Sequence, residues 1–145
     1  MSILNEVSNM FSVDVKQPPA TEEEIKTLKS FSSIEVPLEY LELVRQATEI
    51  EIKVDNKMYI RIWSPSGCIE MNESYNIQTY MPNSLAIGDD EGGRALMYVT
   101  GNEGFGLYIA GFGDLDIDDA IKIAPSLQDL LVNDIGLDGC EHTLV

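Results

Sequence analysis

The chain has 145 residues, nine basic and 25 acidic, for a formal net charge of −16, and 44% of its residues are hydrophobic. That length suits one domain and is enough to bury roughly 68–70% of the unfolded chain's surface. The charge argues against direct contact with nucleic acid or an anionic membrane surface, and the hydrophobic content argues against wholesale disorder.

The imbalance is uneven: residues 1–84 hold 13 acids and seven bases, whereas residues 85–145 hold 12 acids and two bases. The C-terminal part is the acidic pole. The first twenty residues include Glu6 and Asp14 and lack a basic start followed by an apolar stretch, so no secretory signal is expected. The longest apolar run, Ala95 to Val99, is far too short for a membrane helix. Cys68 and Cys140 form no CxxC pair, which suggests neither a disulfide framework nor a zinc knuckle and fits a cytoplasmic protein.

In chain order, residues 1–20 end in Gln17-Pro18-Pro19-Ala20 and read as a short arm or frayed helix. Thr21 and Glu24 have capping-box spacing, and Ile25, Leu28 and Phe31 recur at helical intervals, so a helix is expected from about Thr21 to Ser32. Pro37 suits the first position of a second helix, whose apolar stripe would be Leu38, Tyr40, Leu41, Val44 and Ala47. Glu39, Glu42 and Arg45 take its wet face. The period then becomes two: Ile50, Ile52 and Val54, then Met58, Ile60 and Ile62, form a hairpin turning at Asp55-Asn56-Lys57.

Ser64-Pro65-Ser66-Gly67 breaks that pattern, and Cys68 to Tyr80 is compatible with a strand end and a short helix. Leu85 to Ile87, Ala95 to Val99 and Phe105 to Ala110 are short strands joined by glycine turns. Ser126 and Asp129 repeat the capping-box spacing ahead of a last helix that carries Leu127, Leu130 and Leu131 and reaches about Ile135. These elements make an α+β single domain with a central antiparallel sheet, N-terminal helices and a C-terminal helix. Residues 1–20 are the arm, 21–136 the domain and 137–145 a tail.

Catalytic chemistry has little to work with. His142, the sole histidine, is the fourth residue from the end and lacks a supporting triad, so no catalytic residue is assigned and the chain is not expected to be an enzyme. Asp114-Leu115-Asp116-Ile117-Asp118-Asp119 opens like an EF-hand loop but has Asp119 and Pro125 where that loop needs glycine and glutamate, so neither a metal nor another cofactor is expected. Gly101 to Gly106 is glycine-rich but leads into a strand, and reads as a tight turn. Trp63 reads as a core or sheet-face anchor in preference to an exposed hot spot.

Three stretches resemble the SUKH superfamily, which includes bacterial immunity proteins and a fungal regulator of cell-wall synthesis. They are Val36-Pro37-Leu38-Glu39-Tyr40-Leu41-Glu42-Leu43-Val44; Tyr80-Met81-Pro82 followed by Leu85-Ala86-Ile87-Gly88-Asp89 and Gly92-Gly93; and Ile123-Ala124 before Ser126-Leu127-Gln128-Asp129-Leu130-Leu131. Two departures stand out: Gln46-Ala47-Thr48-Glu49 replaces the usual glycine pair, and Asp90 and Glu91 enlarge the glycine turn. The resemblance implies an α+β fold and an immunity protein that neutralises a cognate toxin, often a nuclease, by direct contact. A regulatory or scaffolding module is the alternative. A strongly acidic chain complements the basic cleft a nuclease needs, so the expected partner is a cationic toxin protein. The densest acidic loops, Asp89-Asp90-Glu91 and Asp114, Asp116, Asp118 and Asp119, are the expected contact surface.

Overall fold

A computed structural model describes residues 11–54 and 58–131. Seven strands run in it as a meander in which every strand pairs antiparallel with its sequence neighbours: β1 (Phe11–Gln17), β2 (Thr48–Val54), β3 (Met58–Ile62), β4 (Ser84–Asp89), β5 (Arg94–Gly101), β6 (Gly104–Gly111) and β7 (Ile121–Ala124). Five helices accompany them: α1 (Glu22–Phe31), α2 (Leu38–Val44), α3 (Pro65–Ser74), α4 (Ile77–Tyr80) and α5 (Leu127–Leu131). The chain is α+β with an antiparallel sheet, as its pattern implied.

The first difference from expectation is β1. Residues 11–17 are neither arm nor helix but a strand on β2, with register irregularities on either side of Val15. The link after it is stitched down where the Thr48 hydroxyl donates to the Pro18 carbonyl at 2.8 Å and the Ala20 amide donates to the Val44 carbonyl at 2.8 Å. α1 starts on the expected capping box, in which the Glu24 amide donates to Thr21 Oγ1 and the Thr21 amide to Glu24 Oε1. Pro37 stands one place earlier than expected, as the N-cap of α2, which stops at Val44.

β2 and β3 keep the alternation of a half-buried hairpin, with Ile52 opposite Ile60 and Ile50 opposite Ile62 inside, and Glu51 opposite Arg61 on the other face. At the start of β2, where the chain departs from the glycine pair that the resemblance implies, Glu49 takes a left-handed φ of 46°. Its carboxylate accepts a 2.6 Å bond from the Ser64 amide at the head of α3, which holds that conformation in place. The motif Ser64-Pro65 is therefore a helix start and not a break: Ser64 Oγ accepts from the Gly67 amide, and Pro65 fills the first turn. α3 turns Asn72 inward, fully buried, where Nδ2 donates to the carbonyls of Cys68 and Ala86 and Oδ1 accepts from the Ala86 amide and Gln78 Nε2. One amide side chain thus ties α3 and α4 to β4.

β4, β5 and β6 are buried along most of their length without alternation, so both faces of the central sheet are covered. β3 and β4 meet closely at Gly88, where a Cβ would collide with the Arg61 carbonyl oxygen. The Gly101–Gly104 pair closes the β5–β6 hairpin, with Gly104 at φ 86°, confirming the tight turn. β7, which the sequence pattern did not announce, adds a short strand on β6.

Of the expected core, Leu28, Leu41, Val44, Ile52, Ile60, Ile87, Leu127, Leu130 and Leu131 are buried, and Phe31 is half-buried. Trp63 is buried as well, its indole nitrogen donating to Asp89 Oδ2 at 2.8 Å. The last helix is held from a distance. Glu39 on α2 accepts from the amides of Leu127 at 2.7 Å and Gln128 at 3.1 Å and from the Tyr98 hydroxyl of β5. The Asp55–Lys57 turn, the reach of the last helix to Ile135, the tail and His142 lie outside the described residues.

Candidate partner-binding surface

The β4–β5 turn is built by its own acids. Asp89 Oδ1 accepts from the Glu91 amide at 2.8 Å while Oδ2 holds Trp63. Asp90 is 8% exposed, and Oδ1 accepts from the amides of Gly92 and Arg94 at 2.8 and 3.0 Å while Oδ2 pairs with Arg94 Nε at 2.6 Å. Both are local Asx-type anchors that satisfy turn amides. This wiring gives both acids a structural task at the expected contact surface: Asp90 is buried and paired with Arg94, and Asp89, partly buried, is held by Trp63 and by the turn.

Glu91 does reach the surface, at a left-handed φ of 55°. It shares Arg61 with Glu51, at 3.3 and 2.6 Å respectively. Its partial burial, then the neighbouring Glu51 carboxyl, hold its pKa above the usual glutamate range although Arg61 pulls the other way. Arg61 Nε is shielded and has no hydrogen-bond partner among the described residues.

The β6–β7 loop is organised differently. Leu115, Ile117 and Ala120 pack against the core, while Asp114, Asp116, Asp118 and Asp119 are exposed. The loop begins at Phe112, whose ring lies 4.3 Å from that of Tyr75 and 6.4 Å from that of Trp63, and whose amide donates to Gly93 beside the other acidic turn. The Asp118 amide donates to Asp116 Oδ1 at 2.9 Å, the Asp119 amide to the Asp116 carbonyl at 3.0 Å and Asn102 Nδ2 to Asp118 Oδ1 at 3.4 Å, which fixes the backbone while all four acidic residues stay exposed. Repulsion from Asp114 above all, with a desolvation contribution next and then Asp116, raises the Asp119 pKa. Of the seven acids expected at the contact surface, these four and Glu91 are exposed.

Among the described residues no group of three or more His, Cys, Asp or Glu side chains is placed to hold a metal ion, and no helix is long and apolar enough to cross a membrane. Cys68 is fully buried beside the Tyr40 hydroxyl at 3.1 Å, and that burial pushes its thiol up to about 12, far from a nucleophilic thiolate.

The sequence matches the model of the SMI1 / KNR4 family (SUKH-1) over residues 19–133, most of the chain. The protein belongs to this family. No match was found among characterised proteins. The SUKH-1 match takes in α1 to α5 and both acidic loops, while β1 precedes it.

One feature of this SUKH-1 chain runs against its own pattern. Leu38, assigned to the apolar stripe of α2, is 73% exposed, while Tyr40, Leu41, Leu43 and Val44 are buried. The signal was available: at 100° per residue Leu38 falls between Leu41 and Glu42, nearer Glu42, and about a third of a turn from Val44, at the wet margin of the stripe.

Proposed function

We propose that this protein is an immunity protein that binds a cognate cationic toxin, of the nuclease class, in the cytoplasm and neutralises it by covering its basic cleft, with no catalysis of its own. The observation that carries the reading is the exposed, backbone-braced row Asp114, Asp116, Asp118 and Asp119 on a SUKH-1 fold of net charge −16. A braced acidic loop meets a cationic surface without reordering, and such fields steer association toward about 10⁸–10⁹ M⁻¹s⁻¹ at low salt.

The test is capture of the partner from the native host on the full chain, followed by stopped-flow association across a salt series and a survival assay in cells that express the partner. Asparagine replaces Asp114, Asp116, Asp118 and Asp119 together. Asp89 and Asp90 are left alone because they build a turn. Slower association with a flatter salt dependence is expected for the fourfold variant. A partner that is neutral or acidic, or one whose toxicity the chain does not relieve, would refute the reading.

A further inference from the structure

The same region that exposes Leu38 contains a groove. Ile34, Val36, Pro37 and Leu38 form one wall and Phe105 of the β5–β6 hairpin the other, around a surface hollow of about 500 Å³. Its lining is fixed: Val36 is buried, and Phe105 lies over Tyr98 with ring centroids 6.0 Å apart, while Tyr98 is tied to Glu39 on α2. Two of the five large apolar side chains that are exposed among the described residues, Leu38 and Phe105 (49% exposed), stand in this one hollow. Clustered apolar exposure on a rigid frame is the anatomy of a binding hot spot, unlike apolar residues scattered singly.

The charges around it select the occupant. Glu35 lines the hollow, and exposed Glu42 stands one turn of α2 beyond Leu38, against a single base, Lys29, in the adjoining part. A second copy of the chain would bring another charge of −16 to the same rim. We propose that this groove seats an apolar anchor, an aromatic or leucine side chain flanked by Lys or Arg, projecting from the cationic protein partner. The assignment rests on the immunity reading for the identity of that partner but not for the chemistry of the groove. The acidic loop governs the encounter and the groove governs how long the complex lasts, since apolar anchors act mainly on dissociation.

Two measurements test this. In the first, the isotope-labelled full chain is titrated with a hexapeptide of four lysines flanking a leucine–tryptophan pair, and with a copy in which serines replace the lysines. Amide shifts should concentrate at residues 34–38 and 105, with the lysine peptide bound at least about tenfold more tightly, and Leu38→Ser and Phe105→Ser should each abolish the pattern. Both side chains are exposed, so the fold should survive, as far-ultraviolet circular dichroism would verify. Shifts confined to residues 114–119, no shifts, or equal binding of the two peptides would overturn the proposal.

In the second, the captured partner is measured against Leu38→Ser and Phe105→Ser. Dissociation should accelerate by about tenfold or more with little change in the salt slope of association. Unchanged dissociation removes the groove and leaves the immunity reading standing. A chain that captures no toxin yet seats the lysine peptide keeps the groove and loses the immunity reading. Sedimentation that shows a dimer dispersed by Leu38→Ser would assign the groove to a second copy instead and overturn the proposal.

Discussion

Glu39 is the side chain on which the assembly of the C-terminal part depends most directly. Its carboxylate takes hydrogen bonds from two α5 amides and from Tyr98, joining segments 59 and 88 residues away along the chain. Hydrogen bonds to a charged group contribute about 1.5–3 kcal/mol each, and a buried donor left without an acceptor costs a similar amount. In Glu39→Ala the hydroxyl of Tyr98 and the amide of Leu127 lose their acceptor inside the protein, whereas the half-exposed Gln128 can turn to water. Taking the low end for the two buried donors gives a loss of about 3 kcal/mol, a large share of the roughly 5–15 kcal/mol typical of a domain. Glu39→Gln keeps an acceptor oxygen without the charge and should lose about 1 kcal/mol, as should Tyr98→Phe. Urea unfolding followed by Trp63 fluorescence at neutral pH measures all three. A double-mutant cycle between Glu39→Ala and Tyr98→Phe should give a coupling of about 1 kcal/mol. Stability of Glu39→Ala within about 0.5 kcal/mol of the parent would mean that water replaces the carboxylate freely and that the clasp contributes nothing.

Three further outcomes are expected. Glu49→Gly relieves left-handed strain of about 1–2 kcal/mol but forfeits the bond to Ser64 and adds chain entropy, so it should destabilise by about 1 kcal/mol; stabilisation in the same urea assay would show that the carboxylate does not hold the left-handed conformation. Gly88→Ala forces a methyl group against the Arg61 carbonyl where β3 and β4 share only two paired positions, and should cost about 2 kcal/mol or more in thermal unfolding, with an unchanged melting temperature as the contrary result. Glu91 has a pKa raised by folding, so its protonated form favours the native state and its contribution, complete below the unfolded pKa, is lost as pH rises through the folded one. Glu91→Gln should therefore gain stability relative to the parent as pH climbs from the usual glutamate range toward neutrality, and a difference that does not vary with pH would contradict the assigned cause.

The sequence made some elements plain for physical reasons that differ from those that hid the rest. The α1 capping box is a local device four residues long, and the β2–β3 hairpin has one wet face, so both leave a clean periodic trace. β1 carries the same alternation in Phe11, Val13 and Val15, but Pro18-Pro19 drew attention to extended, unpaired chain. α3 was obscure because it buries Asn72 where a periodic pattern would place an apolar residue, and only β4 supplies the partners that make this tolerable. Among the acids, composition marks density but not wiring. Asp90 looks like Asp116 in the sequence, yet one closes a turn on Arg94 and the other braces an exposed loop. The groove was hidden by distance, since Leu38 and Phe105 meet only after the sheet has formed.

The unbroken β1 to β7 order also dictates a history for each molecule. Every strand pairs with the one made just before or after it, so the sheet can be laid down in chain order, with the longest waits at β1–β2 and β3–β4, where pairs of helices intervene. Glu39 is different: it is synthesised early and must wait 88 residues for the Leu127 amide that it caps. Until then Tyr98 is its only partner among the three, and the C-terminal edge beside β7 stays open. Capture of the α5 amides by Glu39, not formation of the sheet, is therefore the step at which this protein closes.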